Sequence, residues 1–84
     1  MVFLVKQWHS PELCPKDRGG TKTLYDADAP GVKLDRIMGD FSRHTVYYLL
    51  EADWIEDVQK FLDPGWNVCT AEITPVSEEP VGGE

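Results

Sequence analysis

Residues 44–76, HTVYYLLEADWIEDVQKFLDPGWNVCTAEITPV, spell strand, helix and strand in succession, and the rest of the chain is read outward from them. Thr45 to Ala52 is β-branched, aromatic and aliphatic on both alternating sets, with Val46, Tyr48 and Leu50 opposed to Tyr47 and Leu49. Such a strand is buried on two sides. Asp53 follows as an N-cap, with Glu56 placed to complete a capping box and to meet the positive end of the helix dipole. Trp54, Ile55, Val58, Phe61 and Leu62 then form one apolar stripe at helical spacing. Asp63-Pro64-Gly65 stops the helix, because proline disfavours helical backbone in the residue before it and glycine accepts a turn. Trp66 to Val76 alternates again, and Pro75, which cannot donate to a ladder, marks this last strand as an edge.

Upstream, Val2 to His9 reads as a central first strand. Ser10-Pro11-Glu12 has the grammar of a helix start, yet Pro15 and Gly19-Gly20 interrupt it within two turns. A short helix is expected over Thr21–Ala29, where Leu24, Tyr25 and Ala27 could face a sheet before Pro30-Gly31. Val32 to Phe41 is a further strand, with Val32, Leu34, Arg36 and Met38 on one side and Lys33, Asp35 and Ile37 on the other. The polar turn at Asp40, Ser42 and Arg43 returns it into the His44 strand as a hairpin.

The chain has 84 residues, enough for one domain that buries only about 60–65% of its unfolded surface. We assign residues 1–76 to that domain and 77–84, acidic and rich in Pro and Gly, to a flexible tail. A formal net charge of -7 leaves no basic stripe to neutralise phosphates, which sets aside nucleic acids and anionic membranes as partners. The two cysteines, Cys14 and Cys69, allow at most one bridge, and Lys6 and Gln7 interrupt the first apolar run before a signal-length core develops. The expected location is cytoplasmic. No transmembrane candidate and no cofactor motif is present in the sequence.

The order β, weak α, β, β, α, β predicts an α+β fold of the ferredoxin-like βαββαβ kind. It is a four-stranded antiparallel sheet, spatial order 4, 1, 3, 2, with two helices on one face. Strands 1 and 3 are apolar on both faces and the helices cover one, so the uncovered face must meet something. The hydrophobic first strand ending in WHSPELCP, the HTVYYLLEA strand, the DWIEDVQKFLDP helix and the closing AEITPV strand resemble the small dimeric α/β-barrel domains. That resemblance spans Met1 to Val76 and implies a homodimer packed sheet on sheet around a barrel interior. The superfamily includes cofactor-free monooxygenases, isomerases and haem-related enzymes. The first helix departs from it, being cut short by Pro15, Gly19 and Gly20, and no catalytic motif of a characterised branch maps onto this chain.

No run of residues reaches the specificity of a P-loop or a paired CxxC, so whether the chain is an enzyme stays open. The topology gathers the end of strand 1 and the starts of strands 3 and 4 at one edge, bringing His9, His44, Trp66 and Cys69 together, with Cys14 on the next loop. Two histidines and two cysteines suit tetrahedral zinc. The spacing lacks a knuckle and Cys69 shares parity with Ala71 and Ile73, so no metal set is favoured; the candidates are His9, Cys14 and His44. Cys14 could also serve as a nucleophile with His9 as base, or His9 and His44 could act in a cofactor-free enzyme. Most aromatics read as core or dimer interface, Trp54 and Phe61 above all. The preferred functional reading is a homodimer that binds an apolar or aromatic small molecule in a cavity lined by Trp8, His9, His44, Tyr48 and Trp66.

Overall fold

The computed structural model describes residues 1–77 and Glu79. Four strands form one antiparallel sheet: β1 (Val2–Trp8), β2 (Val32–Asp40), β3 (Thr45–Ala52) and β4 (Thr70–Val76). Their order is β2-β3-β1-β4, which read from the opposite edge is the 4, 1, 3, 2 expected from the sequence. The domain is a small α+β unit with an open four-stranded antiparallel sheet. The flexible tail assigned to residues 77–84 lies mostly outside the described residues.

One face of the sheet is covered. Phe3, Val5 and Gln7 of β1 alternate onto it beside Val46, Tyr48, Leu50 and Ala52 of β3, all buried. The α-helix α1 (Ile55–Phe61) closes this layer with Val58 and Phe61, and Leu62 follows directly. Tyr25 joins the core by stacking on Phe61 at 5.2 Å between centroids and meeting Tyr48 edge-on at 5.4 Å. The opposite face is open, and Val2, Leu4, Trp8, Tyr47 and Leu49 alternate onto it.

Four local expectations are corrected. The helix expected over Thr21–Ala29 does not form beyond the 3₁₀ turn Thr21–Thr23, and two further 3₁₀ turns, Pro11–Leu13 and Pro15–Asp17, precede it. The two earlier turns end after one turn each because Pro15, Gly19 and Gly20 break the run, Gly19 and Gly20 taking φ of 106° and 77°. The capping box is absent: α1 begins at Ile55 with Trp54 at the N-cap and no side-chain cap bond. Trp54 is therefore swung out of the apolar stripe and is 66% exposed, not core.

The alternation of β2 breaks at a bulge between Leu34 and Arg36, so Val32 and Leu34 share the covered face with Ile37 and Gly39, while Arg36 and Met38 turn to the open face. Finally, β4 starts at Thr70 and not at Trp66, because the Asp63–Gly65 turn continues through Trp66 to Val68.

Candidate functional site

Three segments meet beyond one end of the sheet. β1 and β3 extend their ladder by one rung, the His9 amide donating to the His44 carbonyl at 3.1 Å, and this places the two imidazoles side by side. Their centroids are 5.3 Å apart with the rings edge to face. His44 caps the 3₁₀ turn Phe41–Arg43 of the β2–β3 hairpin and holds a left-handed backbone, φ 50° and ψ 45°. A non-glycine residue in that conformation costs about 1–2 kcal/mol, and such strain concentrates at sites of function. Cys14 lies on the residue between the turns Pro11–Leu13 and Pro15–Asp17.

One ligand atom from each of His9, Cys14 and His44 lies within 4.8 Å of the other two, and all three residues are half-buried. His9 is the anomaly of the group. Both of its ring nitrogens are shut off from solvent, and among the described residues neither has a hydrogen-bond partner. A neutral imidazole carries one donor and one acceptor, and leaving a buried polar atom unpaired costs about 1–3 kcal/mol. Such an atom calls for an explanation, an ion being one. Burial, and secondarily the neighbouring His44, pushes the His9 pKa below its ordinary value, a shift that favours the neutral ring.

The cluster lines a cleft of about 340 Å³ together with Pro15, Lys16, Thr21, Phe41 and Val46. Phe41 is 73% exposed, its ring 6.3 Å from that of His44. Lys16 Nζ sits over that phenyl ring, 5.8 Å from its centroid. Asp40, also at the cleft, is already engaged: its Oδ1 accepts from Ser42 Oγ at 2.7 Å and its Oδ2 from Arg43 Nη1 at 3.0 Å. The Ser42 hydroxyl above all holds its carboxyl below the usual range; burial opposes this and Arg43 adds to it.

The remaining sequence candidates are dispersed. Trp8 lies on the open sheet face, with Lys6 Nζ 5.1 Å from its ring centroid. Tyr48 is buried in the core, where its hydroxyl donates to Gln7 Oε1 at 2.6 Å, and Gln7 Nε2 in turn donates to the Leu24 carbonyl at 3.0 Å. Burial, with Cys69 and Tyr25 nearby, pushes the Tyr48 hydroxyl far above its ordinary pKa. Trp66, 76% exposed, and Cys69 line a second cleft of about 370 Å³ with Gln59 and Ile73. Burial raises the Cys69 thiol, as suits a small hydrophobe. Cys69 is therefore separate from the His9, Cys14 and His44 group.

Sequence reasoning missed Lys16 and Phe41. The only available signal was a phenylalanine stranded in the polar turn between Asp40 and Ser42. Comparison with family models, with curated proteins and with solved structures gives no match to this chain. Among the described residues no helix is long and apolar enough to cross a membrane.

Proposed function

We propose that this chain binds a zinc-type divalent metal ion through His9, Cys14 and His44, with a fourth coordination position open to the cleft. The observation that carries the reading is the convergence of the three donors within 4.8 Å around an imidazole whose nitrogens have no other partner among the described residues. Two imidazoles and a thiolate suit zinc, and three protein ligands with one open position is the arrangement of catalytic zinc sites. Zn–N and Zn–S bonds of about 2.0–2.3 Å bring tetrahedral donors to roughly 3.3–3.6 Å of one another, so the group must close by about 1 Å. Cys14 stands on a connection between single turns and His44 in the β2–β3 hairpin connection. The same cluster offers less to a thiol nucleophile, because His9 makes no hydrogen bond to Cys14.

The protomer is ferredoxin-like in topology and pairs with a second copy through its open sheet face. The apolar residues that alternate onto that face, Leu4, Trp8, Tyr47 and Leu49, support this pairing. An apolar small molecule is the second reading for the cleft, supported by its carbon-rich Pro15, Phe41 and Val46 walls. Calorimetric titration with zinc tests the metal reading: one equivalent binds to the wild type, and Cys14→Ser and His44→Ala each weaken it by more than tenfold. Absence of heat, or equal binding by both variants, overturns it.

A further inference from the structure

The proposed metal site sits under a cleft whose electrostatics and walls point to a particular class of occupant. A divalent ion on one thiolate and two neutral imidazoles keeps one net positive charge. Lys16 adds another at the cleft wall. Asp40 does not offset them, because its charge is already matched by the Arg43 guanidinium in a 3.0 Å ion pair. In a chain of formal net charge -7 this leaves a local excess of positive charge facing a recess of about 340 Å³, the size of a small ligand. Phe41 supplies a flat apolar platform in the same recess. Its ring is largely uncovered although it stands among Asp40, Ser42 and Arg43, where a polar residue would serve the turn better.

We infer that the cleft takes a small aromatic carboxylate. One carboxylate oxygen fills the open metal position, the other accepts from Lys16 Nζ, and the ring lies against Phe41. This inference rests on the metal reading above and deepens it by naming the ligand class. The ammonium is already close to the platform: a carboxylate gains a charge-assisted hydrogen bond there that is stronger than the cation–π contact it displaces. A neutral amide of the same shape gains neither the charge on the metal nor the ion pair with Lys16. An amine of the same shape meets two like charges.

The test uses the full chain loaded with cobalt, whose thiolate charge-transfer and d–d bands report separately on the protein ligands and on the open position. Benzoate should shift the d–d bands saturably, and benzamide and benzylamine at equal concentration should not. Lys16→Met should weaken benzoate about tenfold while leaving the cobalt spectrum intact. Phe41→Ala should weaken benzoate and leave acetate unchanged. A cobalt spectrum that benzoate does not alter, or a Lys16→Met protein that binds benzoate as the wild type does, overturns the ligand assignment and leaves the metal site standing. Absence of any cobalt band overturns the metal site, and the ligand assignment with it.

Discussion

Gly65→Ala is expected to destabilise this protein strongly. Gly65 is buried, and a Cβ built on it falls 2.7 Å from the Leu24 carbonyl oxygen, 2.8 Å from Gln7 Nε2 and 3.3 Å from Leu24 Cα. The first and last of these atoms are backbone, and the second is the end of the Gln7 side chain, which is buried and held by its bond to the Leu24 carbonyl. The methyl would push apart the Gln7 to Leu24 bond, the link that ties the 3₁₀ connection to β1. Overpacking of this kind costs about 1–3 kcal/mol. Unpairing the Gln7 amide, 1% exposed, costs about 1–3 more. The sum is about 2–6 kcal/mol, against roughly 4–13 kcal/mol for the whole domain at about 0.05–0.15 kcal/mol per residue. Equilibrium urea denaturation reads it: at a slope of about 1–1.5 kcal/mol/M, a loss near 3 kcal/mol lowers the midpoint by about 2–3 M. Gly39→Ala is the control, since its Cβ would meet nothing within 4 Å and its φ is not positive. It should leave stability within about 1 kcal/mol of wild type. If Gly65→Ala matches wild type to within about 0.5 kcal/mol, the packing of the connection on β1 is misread.

Three other outcomes follow from the same structure. His44→Gly and His44→Ala both remove the imidazole, but only glycine relieves the left-handed backbone, so the glycine variant should be the more stable by about 1 kcal/mol in urea; equal stabilities would remove the strain from the account. Tyr48 has its folded pKa raised by burial, so it stabilises fully below about pH 10, its unfolded value, and that contribution is lost as pH rises toward the folded value. Thermal melts between pH 9 and pH 11 should thus fall more steeply for wild type than for Tyr48→Phe, and parallel slopes would show the hydroxyl to be solvated. Leu49→Lys on the open face should shift sedimentation from a dimer to a monomer without lowering zinc affinity; a wild type that sediments as a monomer at micromolar concentration refutes the pairing.

The strands were legible in the sequence because each carries its own signal. Phe3, Val5, Tyr48 and Leu50 alternate as the covered face requires, and Pro75 lies on an edge strand. Less legible was what local composition leaves undecided. The bulge after Leu34 shifts the remaining residues of β2 by one, which no run of alternating types reveals before the pairing is known. Gly65 reads as a turn glycine beside Pro64, whereas its structural role is close approach to Leu24 across 41 positions of sequence. The capping pattern at Asp53 and Glu56 was real as a pattern, yet the chain enters α1 one residue later through Trp54.

Within the site, placing His9 and His44 at one sheet end required only the topology, and Cys14 followed from the short loop after β1. Trp66 and Cys69 were placed with them because β4 starts at the same end. They belong instead to a cleft on the β4 side, since β1 stands between β4 and β3. Tyr48 looked like a cavity residue because it is polar and aromatic, but the strand's parity turns it into the core.

X-ray absorption at the zinc edge of the protein loaded with one equivalent should fit one sulfur at about 2.3 Å and two imidazole nitrogens at about 2.0–2.1 Å, with a light atom completing the shell. A shell of nitrogen and oxygen without sulfur, unchanged in Cys14→Ser, would contradict the metal site.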